Sequence, residues 1–141
     1  MSSISGPADT VIGPQRNPPQ PRILLADDER AVIDTIGPKL LKAGFQVVYS
    51  YDGDLAYDLA VLLCPSAIVL DEQMPGLKGS EICARLAANP ETAGIPIIIL
   101  SGYGKIAGCH PNVVKHIEKP FSAKQVVEAV ASLVKRSAVA A

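Results

Sequence analysis

The sequence has no C-x-x-C pair, no long apolar run, no basic stripe and no G-x-G-x-x-G, and each gap removes a class of function. Its three cysteines, Cys64, Cys83 and Cys109, are odd in number and far apart. That spacing argues against a zinc site and a disulfide framework, and fits a reducing cytoplasm. Cys109-His110 is an adjacent metal-type pair, but with no second pair it reads as loop or core. No stretch of eighteen apolar residues occurs, so membrane insertion is not expected. The N-terminus has no charged start leading into an apolar segment, so no secretory signal is expected. Lys and Arg number 13 against 14 Asp and Glu, a net charge of −1, so nucleic-acid binding by this chain is not expected.

What is present suits one domain: 141 residues, 48 % of them hydrophobic, enough to build a core. Residues 1–20 hold Pro7, Pro14, Pro18 and Pro19 among Gly, Ser, Gln and Asn, and read as a disordered Pro-rich tail. The folded domain is placed at residues 21–136, with a short tail at 137–141. Five apolar runs read as strands: Arg22–Ala26, Phe45–Ser50, Ser66–Leu70, Pro96–Leu100 and Val113–Ile117. Runs that are continuous rather than alternating are those of strands buried on both faces.

Between them lie helical patterns. The first spans about Glu29 to Ala43, with Val32, Ile33, Ile36, Leu40 and Leu41 as its inner stripe, a kink expected at Gly37-Pro38 and a stop at Gly44. The second is expected to be capped by Asp54 or Gly53 and to run to Leu63; the third spans about Lys78 to Ala88. The last opens at Ser122 or Ala123 and turns Val126, Val127, Val130, Leu133 and Val134 inward. Strands alternating with helices predict an α/β fold: a flavodoxin-like doubly wound five-stranded parallel sheet in the order 2-1-3-4-5, with helices on both faces.

Four of the strand runs end in polar chemistry. Asp27 and Asp28 follow the first, Asp71 the third, Ser101 the fourth and Lys119 the fifth. Each has a plain explanation alone: Asp28 as a helix cap, Asp71 as a turn residue, Ser101 as a loop hydroxyl, Lys119 as a solvated charge. Parallel strands bring all of these ends to one edge, which is where open α/β sheets carry ligands and chemistry. Two carboxylates about 5 Å apart repel by roughly 3 kcal/mol at an effective dielectric of about 20. Such a cluster must raise a pKa or take up a cation. A hard ion such as Mg²⁺ fits, because it combines few carboxylates with water and phosphate oxygens. With an ammonium and a hydroxyl beside it, the edge becomes a nest for a phosphoryl group, and Asp71 a carboxylate nucleophile able to accept it.

On these residues the chain resembles the receiver domain of bacterial two-component response regulators, in particular stand-alone ones of the chemotaxis-regulator kind. Ile23 to Glu29 resembles the family's first strand and acid pair, Leu70 to Gly76 its phosphoacceptor turn, and Lys119-Pro120-Phe121 its lysine and following proline, whose peptide bond is usually cis. The resemblance covers about residues 21–136. It implies Asp71 as the phosphoacceptor, with Lys119 and Ser101 holding phosphoryl oxygens. It implies Mg²⁺ as the cofactor, bound by Asp28, Asp71 and the backbone carbonyl of Gln73, with Asp27 binding it mainly through water. It also implies that Gln73 and Tyr103 tune hydrolysis. The partners it implies are a sensor histidine kinase or histidine phosphotransfer protein and a downstream protein target, in the cytoplasm; homodimerisation is left open.

The chain departs from the family at His116, where an aromatic switch residue usually stands three positions before the lysine. Two readings remain for it. His116 follows Ser101 inward on phosphorylation, with a pH dependence because imidazole changes charge near neutrality, or it is a histidine packed on a loop. The Gly-rich interval from Ser101 to Lys119 is short, so the fourth helix is expected to be reduced or absent.

The expected function is a single-domain response regulator. It takes a phosphoryl group on Asp71 and signals by phosphorylation-dependent binding or phosphorelay, promoting its own Mg²⁺-dependent loading and unloading without being an enzyme in the usual sense. With the last predicted helix ending near Arg136 and the chain at Ala141, no output domain is expected. The alternative is a receiver-like adaptor that no longer uses phosphate. An aspartate-nucleophile phosphohydrolase is disfavoured, since that class carries D-x-D after its first strand and here Glu29 stands two places after Asp27.

Overall fold

The computed structural model describes residues 20–102 and 111–140. Five parallel strands lie side by side: β1 (Arg22–Ala26), β2 (Gln46–Ser50), β3 (Ala67–Asp71), β4 (Ile97–Ser101) and β5 (Val113–Glu118). Their order is β2-β1-β3-β4-β5, as the alternation of patterns predicts. Among the described residues four helices cover the sheet: α1 (Arg30–Lys42), α2 (Gly53–Leu63), α3 (Gly79–Ala88) and α4 (Ala123–Ala140). The interval in which a reduced fourth helix was expected falls on residues 103–110, outside the described residues, as do Tyr103 and the Cys109-His110 pair.

Side chains alternate across each strand, so one apolar run feeds two cores. Ile23 and Leu25 of β1, Val69 of β3 and Leu100 of β4 pack with Ile33, Ile36 and Leu40 of α1 and Val126 and Val130 of α4. Leu24, Ile68, Leu70, Ile97 and Ile99 face the other way, onto Ala56 and Ala60 of α2 and Ile82 and Leu86 of α3. Leu41 departs from the predicted stripe: it is 51 % exposed, because the stripe of α1 narrows to every third or fourth residue where Leu40 already fills the sheet contact.

Three other local expectations are corrected. The N-cap of α2 is Asp52, whose carboxylate accepts the N–H of Leu55 at 2.8 Å, rather than Gly53 or Asp54. An Asp one position earlier reaches the third helical N–H, the geometry the cap requires. Asp28 does not cap α1; that position belongs to Glu29, which makes no side-chain cap bond. The last helix runs to Ala140, so residues 137–140 continue it rather than forming a tail, consistent with the helix propensity of their alanines. Pro38 lies within α1, which is one helix from Arg30 to Lys42, and Gly44 follows it at φ 103°, the left-handed geometry of a helix stop.

Candidate functional site

Alternation also places the acids. Ile23 and Leu25 share a face of β1, and Ala67 and Val69 the same face of β3, in register as Ile23↔Ala67 and Leu25↔Val69. One step further along that face stand Asp27 and Asp71. The same apolar pattern that builds the core therefore delivers two carboxylates to its end. Asp28 joins them from the loop: carboxylate oxygens of Asp27, Asp28 and Asp71 all lie within 4.8 Å of one another. Asp27 and Asp71 are buried and Asp28 is exposed, so the cluster opens to solvent on one side.

Burial makes this arrangement costly, and the carboxyls show it. Asp27 is pushed up to about 7, chiefly by desolvation, with Asp71 adding to the rise and the N–H of Glu29 and the Lys119 ammonium opposing it. Its Oδ1 accepts that N–H at 2.9 Å, while Oδ2 is buried without a hydrogen-bond partner among the described residues. Asp71 is also raised by desolvation, against the pull of Lys119 and of the N–H of Gln73. An orphaned buried oxygen beside two further carboxylates is the donor set a hard divalent cation takes. The residues present fit such an ion.

Lys119 reaches the cluster from the end of β5. Its Nζ lies 3.3 Å from Asp71 Oδ1 and 3.2 Å from Glu29 Oε1, so one ammonium serves two acids. Burial works against its charge, yet Asp71 and then Glu29 carry the balance the other way, and its pKa is raised. Its backbone N–H donates to the carbonyl of Ser101 at 2.7 Å, tying the end of β5 to the end of β4. Ser101 is buried, the last residue of β4, and the Lys119–Pro120 bond is cis. Gln73 is exposed on the turn after Asp71. His116 is exposed on β5 opposite Ile99, while the strand partner of Ser101 is Glu118.

The turn carrying Asp71 is held by contacts the sequence reading passed over. Gly79 N–H donates to the Glu72 carbonyl at 3.0 Å, and Gly53 N–H to the Pro75 carbonyl at 3.0 Å. A Cβ on Gly79 would stand 2.9 Å from the Asp71 carbonyl oxygen and from Glu72 Cα, and one on Gly53 would run into the Leu77 carbonyl. Both glycines thus let a helix start press directly against the turn. Gly79 could have been found as a glycine at the head of the third helical pattern, where a close approach to the turn requires one. The Glu29–Lys119 pair could not, since nothing local links residues 90 positions apart.

Residues 23–131 match the response regulator receiver domain model. The chain is 35 % identical over 121 residues to the DNA-binding dual master transcriptional regulator RpaA of Synechocystis sp., a match covering 83 % of this chain and 50 % of that protein. It is 32 % identical over 120 residues to the response regulator MprA of Mycolicibacterium vanbaalenii, covering 82 % of this chain and 51 % of that one. The chain spans about half the length of these curated relatives. Among solved structures it is similar to the Francisella response regulator 1452 receiver domain, with a TM-score of 0.74 and 26 % identity over 84 % of this chain and 99 % of that one. It also shares its fold with a CheY-like receiver domain protein from Methanospirillum hungatei, at a TM-score of 0.76 and 18 % identity over 86 % and 99 % of the two chains.

Proposed function

The chain belongs to the response regulator receiver domain family, and on that premise we propose that Asp71 accepts a phosphoryl group and that the loaded domain signals by protein docking or by passing the group onward. The observation that carries this is the convergence of Asp27, Asp28 and Asp71 with Lys119 at one sheet edge. Asp27, Asp28, Asp71 and the Gln73 carbonyl would hold Mg²⁺, which supplies charge neutralisation for the transferring group when bound. An Asp71 carboxylate oxygen forms a bond to phosphorus as the donor's N–P bond breaks. The departing imidazole takes up one proton, and the phosphoryl charge stays at the site. Lys119 and the Ser101 hydroxyl hold phosphoryl oxygens. Gln73 and Tyr103 would set how fast water removes the group. His116, exposed on β5, would either follow Ser101 inward when the site fills or pack against a loop.

The donor is a histidine kinase or histidine phosphotransfer protein, in the cytoplasm. A groove of about 290 Å³ beside the site supports this, lined by Ala31, Thr35, Ile36, Pro120 and Phe121 and sharing Lys119 with the acid cluster. An apolar helix face seated there brings its histidine to Asp71. RpaA is described by its name as DNA-binding. For the present chain the near-neutral balance of 13 basic and 14 acidic residues favours a protein target. A second reading, a phosphate-independent adaptor, predicts no loading at all.

The test is intact-mass analysis after incubation with Mg²⁺ and a small phosphodonor. The proposal expects a gain of one phosphoryl group, lost in Asp71→Asn and in the presence of a chelator. An unchanged mass in the wild-type protein would leave the adaptor reading standing.

A further inference from the structure

We propose that Glu29 is a charge gate on this site: it competes with an incoming phosphoryl group for the Lys119 ammonium and selects against dianionic small-molecule donors. The inference rests on the phosphoacceptor reading of Asp71. Lys119 Nζ sits almost midway between two carboxylates, 3.2 Å from Glu29 Oε1 and 3.3 Å from Asp71 Oδ1. The two differ in exposure: the Asp71 side chain is 3 % exposed and that of Glu29 61 %. The lysine therefore spans from the floor of the site to its mouth, and the acid at the mouth is Glu29.

Glu29 is held there by its backbone. Its N–H donates to Asp27 Oδ1, and its carbonyl accepts the N–H groups of Val32 and Ile33 at the start of α1. It occupies the N-cap position, yet its carboxylate leaves the helix N–H groups alone and turns to a lysine 90 residues away. A cap function would choose a shorter side chain. The length of Glu suits the reach to Lys119.

Loading replaces the single charge of Asp71 with a phosphoryl group carrying about two. Lys119 must then turn to the new oxygens and give up Glu29, whose charge also repels the arriving donor. An exposed ion pair of this kind is worth a factor of about 2–5 in equilibrium, and the repulsion of a dianion adds to it. A protein donor escapes the gate when it sets a Lys or Arg against Glu29 as it docks. A free dianion has no such means.

The test compares two donors of different charge on the wild-type protein and on Glu29→Gln, with Mg²⁺, at neutral pH. Acetyl phosphate is a dianion there and phosphoramidate largely a monoanion. Glu29→Gln keeps the shape and an exposed amide, and it removes the charge. Loading of Asp71 is followed by intact mass. The expected result is that the variant loads about 3–10 times faster from acetyl phosphate, about 2-fold or less faster from phosphoramidate, and that the difference shrinks in molar salt. A purely structural role for Glu29 would move both rates together. An unchanged ratio of the two rates in Glu29→Gln overturns the gate while leaving the phosphoacceptor reading intact. Failure of the wild-type protein to load from either donor overturns both.

Discussion

Asp27 shows how a residue can be wrong for the fold and right for the site. It is wholly buried, one of its oxygens has no partner among the described residues, and its carboxyl is pushed up to about 7 by desolvation. Its folded value lies above the unfolded one, so folding favours the protonated form. That stabilisation is complete below about 4 and is lost as pH rises through about 7. Asp71 and Glu72, also raised chiefly by desolvation, push in the same direction. Urea unfolding without divalent cation should therefore show stability falling between pH 4 and 8, and saturating Mg²⁺ should remove the fall. Asp27→Asn should stabilise the metal-free protein by about 1–3 kcal/mol above pH 7, because it removes a buried charge, and weaken Mg²⁺ binding at least tenfold. A metal-free variant less stable than wild type would contradict the reading of Asp27 as a strained ligand. At this scale the sequence showed the acids, the hydroxyl and the lysine, because each closes an apolar run. It did not show Glu29 at work, because a contact with Lys119 is made by topology alone.

At the scale of elements, the strands were the most legible part. Val69, Leu70, Ile98 and Ile99 are buried on both faces of the sheet, and a short continuous run, rich in β-branched residues and bounded by turn residues, is the pattern of a central parallel strand. Strand ends were less so: β3 and β4 each extend one residue further, to Asp71 and Ser101, since hydrogen bonding continues after the apolar residues stop. The cap of α2 was placed one or two residues late, because Asp52, Gly53 and Asp54 are all cap-type residues; in the structure Asp52 accepts the Leu55 N–H and Gly53 packs against the Leu77 carbonyl as the first helical residue. That packing makes the start of α2 and the start of α3 joint supports of the phosphoacceptor turn. Gly79→Ala should cost about 1–3 kcal/mol in urea unfolding, since its Cβ meets backbone that has nowhere to go. The same substitution should slow loading of Asp71 by displacing the turn. A variant as stable as wild type, loading at the same rate, would show that the close approach has no role.

On the scale of the whole molecule, two separate cores clamp one sheet, and the chemistry lies where the strands leave both. Fold order and the edge carrying the site follow from the alternation of patterns and the right-handed crossover rule, so both were readable in advance. What surrounds β5 was not, because the short Gly-rich interval before it has no period. Among the described residues, no helix is long and apolar enough to cross a membrane.

The account as a whole rests on one electrostatic proposition: the acids at this edge are tolerated because a divalent cation neutralises them. The measurement closest to that proposition is a magnesium titration of the metal-free protein, followed by nuclear magnetic resonance at the amides of Glu29 and Gln73, which donate to Asp27 and Asp71. The account predicts saturable shifts at both amides, centred on this edge of the sheet, and their loss in Asp71→Asn. Amides that stay still as magnesium is raised to tens of times physiological levels would contradict it.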